Sequence, residues 1–515
     1  MSLEFINSIY YERAKLINSL GCCLLCSLRL SGISKNEHFQ NLITNPDTIK
    51  NIFENSEFDE TPEEPKTCII CLGILQSKVQ NESLKQISEA IRLNGYDSQT
   101  FTCGLNLPIS IVIREKSLLM YLTQKSKSSN NPLEDTDAKS YSVKEIWKMQ
   151  MLPKIETMTS KQLTTCSLVS SPFTVNISYT YLNDEIDCEK LIKKYDVNSL
   201  KMKNRKLKDG GFSKSTIEKI LSNITEEVFM DCYSVPPSKP SVHAMIDQIN
   251  CSRESLFIGG RYIKLSRKLS QTPWFVNGEK KMETSVQDLL CDLIVKYSKA
   301  ESCKFLSSGR EDIDVRTINT GRPFAVELIN PKITKLSSEK FEELVEKINN
   351  SSKLAKITSN MRILSPLDLK RLKEGENIKK KFYRSLCIIK NSLENPLKFD
   401  DINSIKNLKI TQKTPIRVLH RRPLASRNRI VHQIRARYLS PTEINEIQKR
   451  LPNLDLHNLC MKQLFIVDVK TQAGTYIKEF VHGDFRRTKP NLCDLLGVEI
   501  DIVALDVTGI NIDWP

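Results

Sequence analysis

Apolar residues recur along this 515-residue chain with two different spacings. Spacings of three and four residues, which place side chains on one face of a helix, predict helices at 82–95, 142–152, 211–229 and 338–350. Short apolar runs predict strands at 107–122, 325–329, 417–420, 463–470 and 502–510. Ser213 is placed to cap the third helix. Because helices and short strands alternate from residue 300 onward, we expect an α+β fold in which a mixed β-sheet is flanked by helices.

Two features of this pattern bear on domain organisation. Prolines and serines interrupt it between residues 234 and 243, and a chain of this length exceeds what one hydrophobic core usually holds. We therefore expect an N-terminal domain at 1–240 and a C-terminal domain at 241–515. Polar segments at 31–66 and 124–140 are predicted loops. The sequence has no run of about 18 apolar residues and no signal-peptide pattern at its start, so we expect neither a membrane span nor secretion.

The charge of the chain favours a polyanionic partner. It carries 76 basic and 61 acidic residues, formally +15, and nucleic acid is the commonest polyanion, although generic basicity would give the same balance. Arginines are densest between residues 414 and 439, where their planar side chains suit bidentate contact with phosphate. A second basic stretch, 261–274, is interleaved with Tyr262 and Trp274. It fits a nucleic-acid surface and a lysine-guarded strand edge equally well.

Four of the fifteen cysteines form two Cys-x-x-Cys pairs beside apolar runs, namely Cys23 with Cys26 and Cys68 with Cys71. Two such pairs can share one tetrahedral zinc ion, so the sequence predicts a zinc site. The site would be structural, because four sulfur ligands leave no open position for substrate. Four core thiols are the alternative, and Cys22 could replace a neighbour. A disulfide framework is not expected in a chain without an export signal.

Known nucleotide-binding and deaminase motifs are missing from the sequence. It contains no Gly-x-x-x-x-Gly-Lys-Ser/Thr loop, no Gly-x-Gly-x-x-Gly turn and no His-x-Glu segment followed by Cys-x-x-Cys. What remains is Asp312 before an apolar strand, with Tyr383 at the start of another predicted strand. If their segment is extended, Tyr476 and Lys478 share a face, and a cation there would keep a buried carboxylate ionised. Taken separately, Tyr476 is a packing residue and Lys478 a surface charge.

Several strings in the C-terminal half carry a family resemblance. Gly309-Arg310-Glu311-Asp312 resembles the Gly-Arg-x-Asp signature of pseudouridine synthases. The longer strings GREDIDVR, TGRPFAVELINP, HRRPLA and TQAGTYIKEFVHGDF resemble the archaeal and eukaryotic tRNA pseudouridine synthase family that modifies uridines 54 and 55. The resemblance covers about residues 250–515 strongly. It covers the N-terminus more loosely, where the family carries a zinc-binding, THUMP-containing domain.

The resemblance implies a role for each matching residue. Asp312 is expected to be the nucleophile, and Tyr383 to stack on the target base and assist proton removal. Tyr476 corresponds to a second functional tyrosine, and Lys478 to the basic residue that pairs with the aspartate. The residues expected to contact RNA are Arg310, Tyr383, Tyr476, Arg421, Arg422 and Arg427, and the expected zinc ligands are Cys23, Cys26, Cys68 and Cys71.

Two positions depart from the family pattern. Asn319 and Arg486 each stand where a glycine is usual, which bears on loop geometry and on the fit of RNA there.

The resemblance also implies partners and a location. We expect a tRNA substrate, a structural zinc ion, no organic cofactor, and residence in nucleus and cytoplasm. A monomer is assumed by default. Primary microRNA and its processing machinery are further candidate partners. The alternative function is a non-catalytic RNA-binding factor in small-RNA processing, in which Asp312 has no role. A zinc-organised protein scaffold is a third possibility, which the arginines around Asp312 disfavour.

Overall fold

The computed structural model describes residues 8–32, 66–128, 140–164, 173–194, 213–378, 380–391, 395–450, 463–512 and 514. The chain divides into two compact units, Met1–Arg253 and Glu254–Pro515. Most of the two predicted polar loops, residues 33–65 and 129–139, lies outside the described residues. Among the helices described, none is long and apolar enough to cross a membrane.

The N-terminal unit packs helices against a four-stranded sheet. Its helices are α1 Ser8–Ser19, α2 Leu24–Leu30, α3 Ser77–Asn94, α4 Ser110–Ser128, α5 Val143–Thr159, α6 Asp184–Lys194, α7 Lys214–Asn223 and α8 Glu226–Cys232. Its strands are β1 Thr100–Asn106, β2 Gln162–Leu163, β3 Phe173–Thr180 and β4 Met245–Arg253. Strand β1 pairs in parallel with β2 and β3, and β4 completes the sheet antiparallel to β3. The unit therefore continues to Arg253, beyond the expected boundary at residue 240.

The predicted strand at 107–122 is wrong, because the structure has helix α4 there. One side of α4 buries Ile111, Leu118 and Leu122 in the main core of the unit. Another side buries Ile113 and Met120 in a smaller cluster with α6 to α8. A helix with apolar residues on two faces loses the single stripe by which amphipathic helices are recognised.

Helix ends in this unit follow from local sequence. Ser213 precedes α7 and its side chain accepts a hydrogen bond from the backbone NH of Thr216, as predicted. Ser142 and Glu145 form a capping box at the start of α5, since each side chain binds the backbone NH of the other residue. Helices were correctly predicted in both regions, although the described residues of the second region, from 213 onward, form two short helices, α7 and α8.

The C-terminal unit is built on an 11-stranded mixed sheet, and the predicted α+β class is confirmed. Its strands are β5 Leu256–Lys264, β6 Phe275–Val276, β7 Glu279–Lys280, β8 Ser302–Ser307, β9 Arg316–Ile329, β10 Ala355–Ile357, β11 Arg362–Ile363, β12 Lys380–Ile389, β13 Lys406–Lys413, β14 Ser426–Tyr438, β15 Leu464–Gln472, β16 Thr488–Lys489 and β17 Ile500–Ile510. Its helices are α9 Val286–Ser298, α10 Ser338–Ser351, α11 Pro366–Ile378, α12 Asp400–Ser404, α13 Pro441–Arg450, α14 Ile477–His482 and α15 Leu492–Leu496.

The strand order is β10-β5-β9-β17-β12-β15-β14-β13-β16, with β8 also paired to β9 and β11 to β5; β6 and β7 form a separate hairpin. Strands β9 and β17 run parallel, whereas the other described pairs in the large sheet are antiparallel. The predicted strands at 325–329, 463–470 and 502–510 are confirmed within β9, β15 and β17. The predicted strand at 417–420 is wrong, because this segment overlaps a 3-10 turn at Ile416–Val418.

Strand β17 brings two parts of the chain together. Its Val507 lies beside Thr317 of β9 on one side and beside Tyr383 of β12 on the other. The loop that precedes β9 contains Asp312. The sheet therefore fixes this loop relative to Tyr383.

Candidate active site

Asp312 lies in the loop that connects β8 to β9. Gly309 in this loop has a φ of +88°, a conformation that residues with a Cβ rarely adopt. A Cβ at this position would lie 2.7 Å from Lys381 Nζ and 3.1 Å from Arg322 Nη1. Position 309 therefore favours glycine for its backbone conformation, whereas the end of the flexible Lys381 side chain could move to admit a Cβ.

A buried ion pair lies under the loop. Arg322 Nε is 2.7 Å from Glu311 Oε2, and both side chains are almost completely buried. Glu311 also accepts a hydrogen bond from Tyr262 Oη at 2.9 Å, and Arg322 donates to the carbonyl oxygen of Ser308 at 2.7 Å. Burying two charges is costly unless they are paired and hydrogen-bonded, so these contacts hold the loop in one conformation.

Lys264 supports the same loop from within the protein. Its side chain is fully buried, and Nζ donates to the carbonyl oxygens of Leu269, Asp312 and Ile313 at 2.8, 3.1 and 2.7 Å. Burial lowers the pKa of Lys264 to about 8, although Glu311 partly offsets that effect. Lys264 thus binds main-chain oxygens of the loop that contains Asp312 and is not part of an RNA-binding surface.

Two arginines of the basic stretch around Lys264 have a structural role of the same kind. Arg261 donates to the main-chain oxygens of Thr320 and Trp514 at 2.7 and 2.9 Å. Arg267 donates to that of Leu505 at 2.7 Å. Arg261 and Arg267 therefore bind main-chain oxygens, as Lys264 does, whereas Lys268 and Trp274 are exposed.

The carboxylate of Asp312 is surrounded by three cationic side chains. Arg417 Nη1 donates to Oδ2 at 2.7 Å, Lys478 Nζ lies 3.6 Å from Oδ2, and Arg421 Nη2 lies 3.9 Å from Oδ1. The Asp312 side chain is 30% exposed, so it can be reached from solvent. Arg417, and not Lys478, is its closest cationic partner.

Each of the two closest cations has a second acidic partner. Arg417 Nε donates to Glu479 Oε1 at 2.6 Å, and the Glu479 side chain is only 1% exposed. Lys478 Nζ donates to both carboxylate oxygens of Asp314 at 2.8 and 2.7 Å. Partial burial would raise the pKa of Asp314, but the hydrogen bonds from Lys478 lower it below its usual value.

Asp312 and its three cationic partners line a cleft of about 770 Å³. Besides Asp312 and its cationic partners, the predicted site residues that line it are Arg310, Tyr383, Tyr476 and Arg422. Arg427, in β14, is not among the lining residues. The structure therefore places together every predicted catalytic residue and all but one of the predicted RNA contacts.

The two tyrosines reach the cleft from different elements. Tyr383 is half-buried in β12, and burial raises the pKa of its phenol to about 12. Tyr476 directly precedes α14, so the segment up to Lys478 is not extended as expected. The side chain of Gln412 binds both the NH and the carbonyl oxygen of Tyr476 at 2.9 Å, which fixes that residue at the helix entrance.

Arg417, Glu479 and Asp314, which form ion pairs around Asp312, were not predicted as site residues. Arg417 stood in the densest basic stretch, but nothing distinguished it from its six neighbouring arginines. Glu479 and Asp314 each lie close in sequence to a predicted catalytic residue, one beside Lys478 and the other two residues after Asp312. The available signal was an acidic residue close to each of these two candidates.

The four predicted metal ligands come together in the N-terminal unit. The sulfurs of Cys23, Cys26, Cys68 and Cys71 all lie within 4.8 Å of one another. Four sulfurs bound at about 2.3 Å to a tetrahedral zinc ion lie about 3.8 Å apart, and the Cys23 and Cys71 sulfurs are separated by 3.7 Å. The Cys23 backbone NH also donates to Cys68 Sγ at 3.2 Å. The set fits zinc, and Cys22 is not one of the four.

The two departures from the family pattern keep the backbone that a glycine favours. Asn319 has a φ of 58° and Arg486 a φ of 66°, both in the left-handed region. Asn tolerates this region better than most residues, whereas Arg does so at a cost in stability. The loop geometry is therefore retained at both positions.

Both units of the chain match models of known protein families. Residues 257–511 match the family model described as Pus10, C-terminal, and residues 68–251 match that described as Eukaryotic Pus10, N-terminal. The chain is 36% identical to human tRNA pseudouridine synthase Pus10, over 87% of this chain and 79% of that protein. It is 34% identical to the Thermofilum pendens protein of the same name, over 49% of this chain and 53% of that protein.

The mouse tRNA pseudouridine synthase Pus10 is 35% identical, over 90% of this chain and 82% of that protein. A chain of a solved Cbf5-Nop10-Gar1 complex matches at 16% identity over 48% of each chain, with a TM-score of 0.23. With both units matched and most of the vertebrate proteins covered, this chain belongs to the Pus10 family of tRNA pseudouridine synthases.

Proposed function

We propose that this protein converts uridine to pseudouridine at position 54, position 55 or both in the TΨC arm of tRNA, with Asp312 as the nucleophile. The observation that supports this proposal best is the position of the Asp312 carboxylate. It lies in a cleft that is also lined by Tyr383 and Tyr476, and it is 2.7, 3.6 and 3.9 Å from three cationic groups.

The reaction needs no redox step and no phosphate energy. The bond between C1′ of the ribose and N1 of the base breaks, the base turns, and a bond from C1′ to C5 replaces it. C5 then loses its proton and N1 gains one. A carboxylate suits the first step, because it can attack the sugar or assist removal of a ribose proton and leave again afterwards. The carboxylate that would play either role lies 2.7 Å from Arg417 Nη1 and 3.6 Å from Lys478 Nζ, whose positive charges favour its negative charge.

The target uridine must first leave its stack, which costs on the order of a few kcal/mol. The cleft offers an aromatic ring, Tyr383, against which the base can stack, and Arg310, Arg421 and Arg422 to contact phosphates. With a pKa of about 12, the phenol of Tyr383 is protonated at neutral pH. It is therefore suited to stacking and to donating a hydrogen bond. Accepting the C5 proton would require its pKa to fall when RNA binds.

The experiment compares Asp312→Ala with wild type on a tRNA transcript labelled with tritium at C5 of uridine. We expect tritium release to fall by more than about a thousandfold in the variant. Asp501→Asn is the matched control, since Asp501 lies in β17 and pairs with Lys390 at 3.3 Å. Mapping pseudouridine in the product then distinguishes position 54 from position 55. Tritium release that survives Asp312→Ala would refute the assignment.

The same experiment tests the alternative function. A wild-type protein that binds RNA and releases no tritium from any transcript would be an RNA-binding factor, as expected for a role in small-RNA processing. We also propose that the four clustered cysteines bind a structural zinc ion, on the strength of their sulfur geometry. Residence in nucleus and cytoplasm is proposed from the family resemblance alone, and a monomer is the default assumption.

A further inference from the structure

Phe485 is unusually exposed for an aromatic side chain. Its side chain is 89% exposed, the highest value among the large apolar residues that the structure describes as exposed. It lies in the turn after α14, where Asp484, Phe485 and Arg486 have φ values of 48°, 54° and 66°. Three consecutive non-glycine residues in the left-handed region are unfavourable for the backbone. Such conformations persist only where the surrounding structure imposes them.

The turn is held firmly on both sides of Phe485. The side chain of Asp484 is buried and accepts a hydrogen bond from the Ile416 backbone NH at 3.2 Å. The Arg487 NH donates to the carbonyl oxygen of Asp484 at 3.0 Å, and the Lys413 NH to that of Arg487 at 2.9 Å. The backbone of the turn that carries Phe485 is therefore fixed. The exposure of the ring does not result from a loosely held loop.

The turn also adjoins the active-site cleft. Ile416, which binds Asp484, is followed directly by Arg417, the closest cationic partner of Asp312. Arg486 is exposed beside Phe485 and forms no ion pair within the described part of the chain. The turn that carries Phe485 is thus bonded to the residue that precedes Arg417, and the exposed Arg486 adds a positive charge, which favours a polyanion as the ligand.

We propose that Phe485 is a stacking platform for a nucleobase that flanks the target uridine in the bound RNA. The proposal rests on the proposed function, because it assumes that a uridine is flipped into the Asp312 cleft. Flipping removes a stacking partner from each neighbouring base. A fixed aromatic ring at the rim of the cleft replaces the lost stacking partner. Every nucleobase can stack on the face of such a ring, regardless of sequence. Arg486 contacts the phosphate of the same nucleotide.

Four substitutions at position 485 test the proposal. Phe485→Ala and Phe485→Leu remove the flat ring, whereas Phe485→Tyr and Phe485→Trp retain it. We expect the first two to raise both the Kd for a tRNA transcript and the KM for pseudouridine formation by about 5- to 150-fold. We expect the second two to stay close to wild type, and kcat to remain unchanged in all four. The control is Leu367→Ala, which truncates another exposed apolar side chain, 57% exposed on α11.

Each outcome separates this proposal from the proposed function. An alanine variant that binds tRNA as well as wild type overturns the stacking role, even if wild type is fully active. A leucine variant equal to the tryptophan variant also overturns it, since an apolar contact would then suffice. If wild type forms no pseudouridine but the Kd still depends on the aromatic ring, the proposed function falls and the stacking site stands. Because Phe485 is exposed, all variants are expected to keep the wild-type Tm.

Discussion

The buried ion pair between Glu311 and Arg322 is expected to control both stability and activity of the C-terminal unit. Glu311→Ala would leave the Arg322 guanidinium buried without its carboxylate, 2.7 Å from where Oε2 now lies. Removing one partner of a buried pair costs about 3–5 kcal/mol of the free energy of unfolding. At about 2–4 °C per kcal/mol for a unit of this size, the Tm should fall by about 6–20 °C.

Calorimetry can measure this effect against a matched control in the same sheet. Glu327→Ala in β9 also removes a glutamate with a basic partner, Lys304 at 3.5 Å, but that lysine is 67% exposed. Exposed pairs contribute about 0–1 kcal/mol, so the control should change the Tm by at most a few degrees. Equal effects of the two substitutions would show that the buried pair does not hold the unit together.

A double variant separates stability from catalysis. Replacing both Glu311 and Arg322 with methionine removes both charges and retains most of the volume, and such exchanges are often neutral or stabilising. We expect the double variant to recover most of the Tm lost by Glu311→Ala. Its rate of pseudouridine formation should stay low, because the loop that presents Asp312 has lost its anchor to Ser308. Full recovery of activity would refute the positioning role of the pair.

Three further predictions follow from other parts of the structure. Burial lowers the pKa of Lys264 to about 8 from 10.5. Between these two pH values, the unfolded chain binds a proton that the folded chain lacks. The contribution of Lys264 to the free energy of unfolding therefore rises by about 1.4 kcal/mol per pH unit. The unfolding free energy of wild type minus that of Lys264→Met should therefore rise by about 2 kcal/mol from pH 8 to pH 9.5. A difference that stays constant over this pH range would contradict the burial of a charge. Arg486→Gly should raise the unfolding free energy by up to about 1 kcal/mol by relieving its left-handed backbone, whereas Arg486→Ala, which keeps a Cβ, should not. Replacing Cys68 and Cys71 with serine should abolish bound zinc measured by elemental analysis, while Cys22→Ser should retain about one ion per chain; zinc that persists in the double variant would exclude the site.

Elements with one clear period could be predicted from the sequence. Helix α10 has one apolar stripe and a capping Ser337, and it was found within one residue of its observed end. Helix α4 was missed because its apolar residues serve two separate clusters, one through Leu118 and the other through Ile113. Periodicity reports one buried face, and it fails where an element packs on two sides.

The site could be predicted in its residues but not in its pairing. The sequence around Asp312, Tyr383 and Lys478 identified these residues as candidates for the site. The structure places all three in the cleft. That Arg417 rather than Lys478 lies closest to Asp312 depends on a 3-10 turn that brings residue 417 across more than a hundred residues of sequence. Such distant contacts are determined by the tertiary fold, and no local pattern encodes them.

Strand β17 has a consequence for synthesis of the protein in the cell. It inserts between β9 and β12, yet it is made after both of them. Until residue 510 has emerged from the ribosome, β9, which follows Asp312, and β12, which contains Tyr383, each have an unpaired edge. Exposed strand edges promote aggregation. A premature stop before residue 500 would leave both residues translated but would not hold them in one sheet.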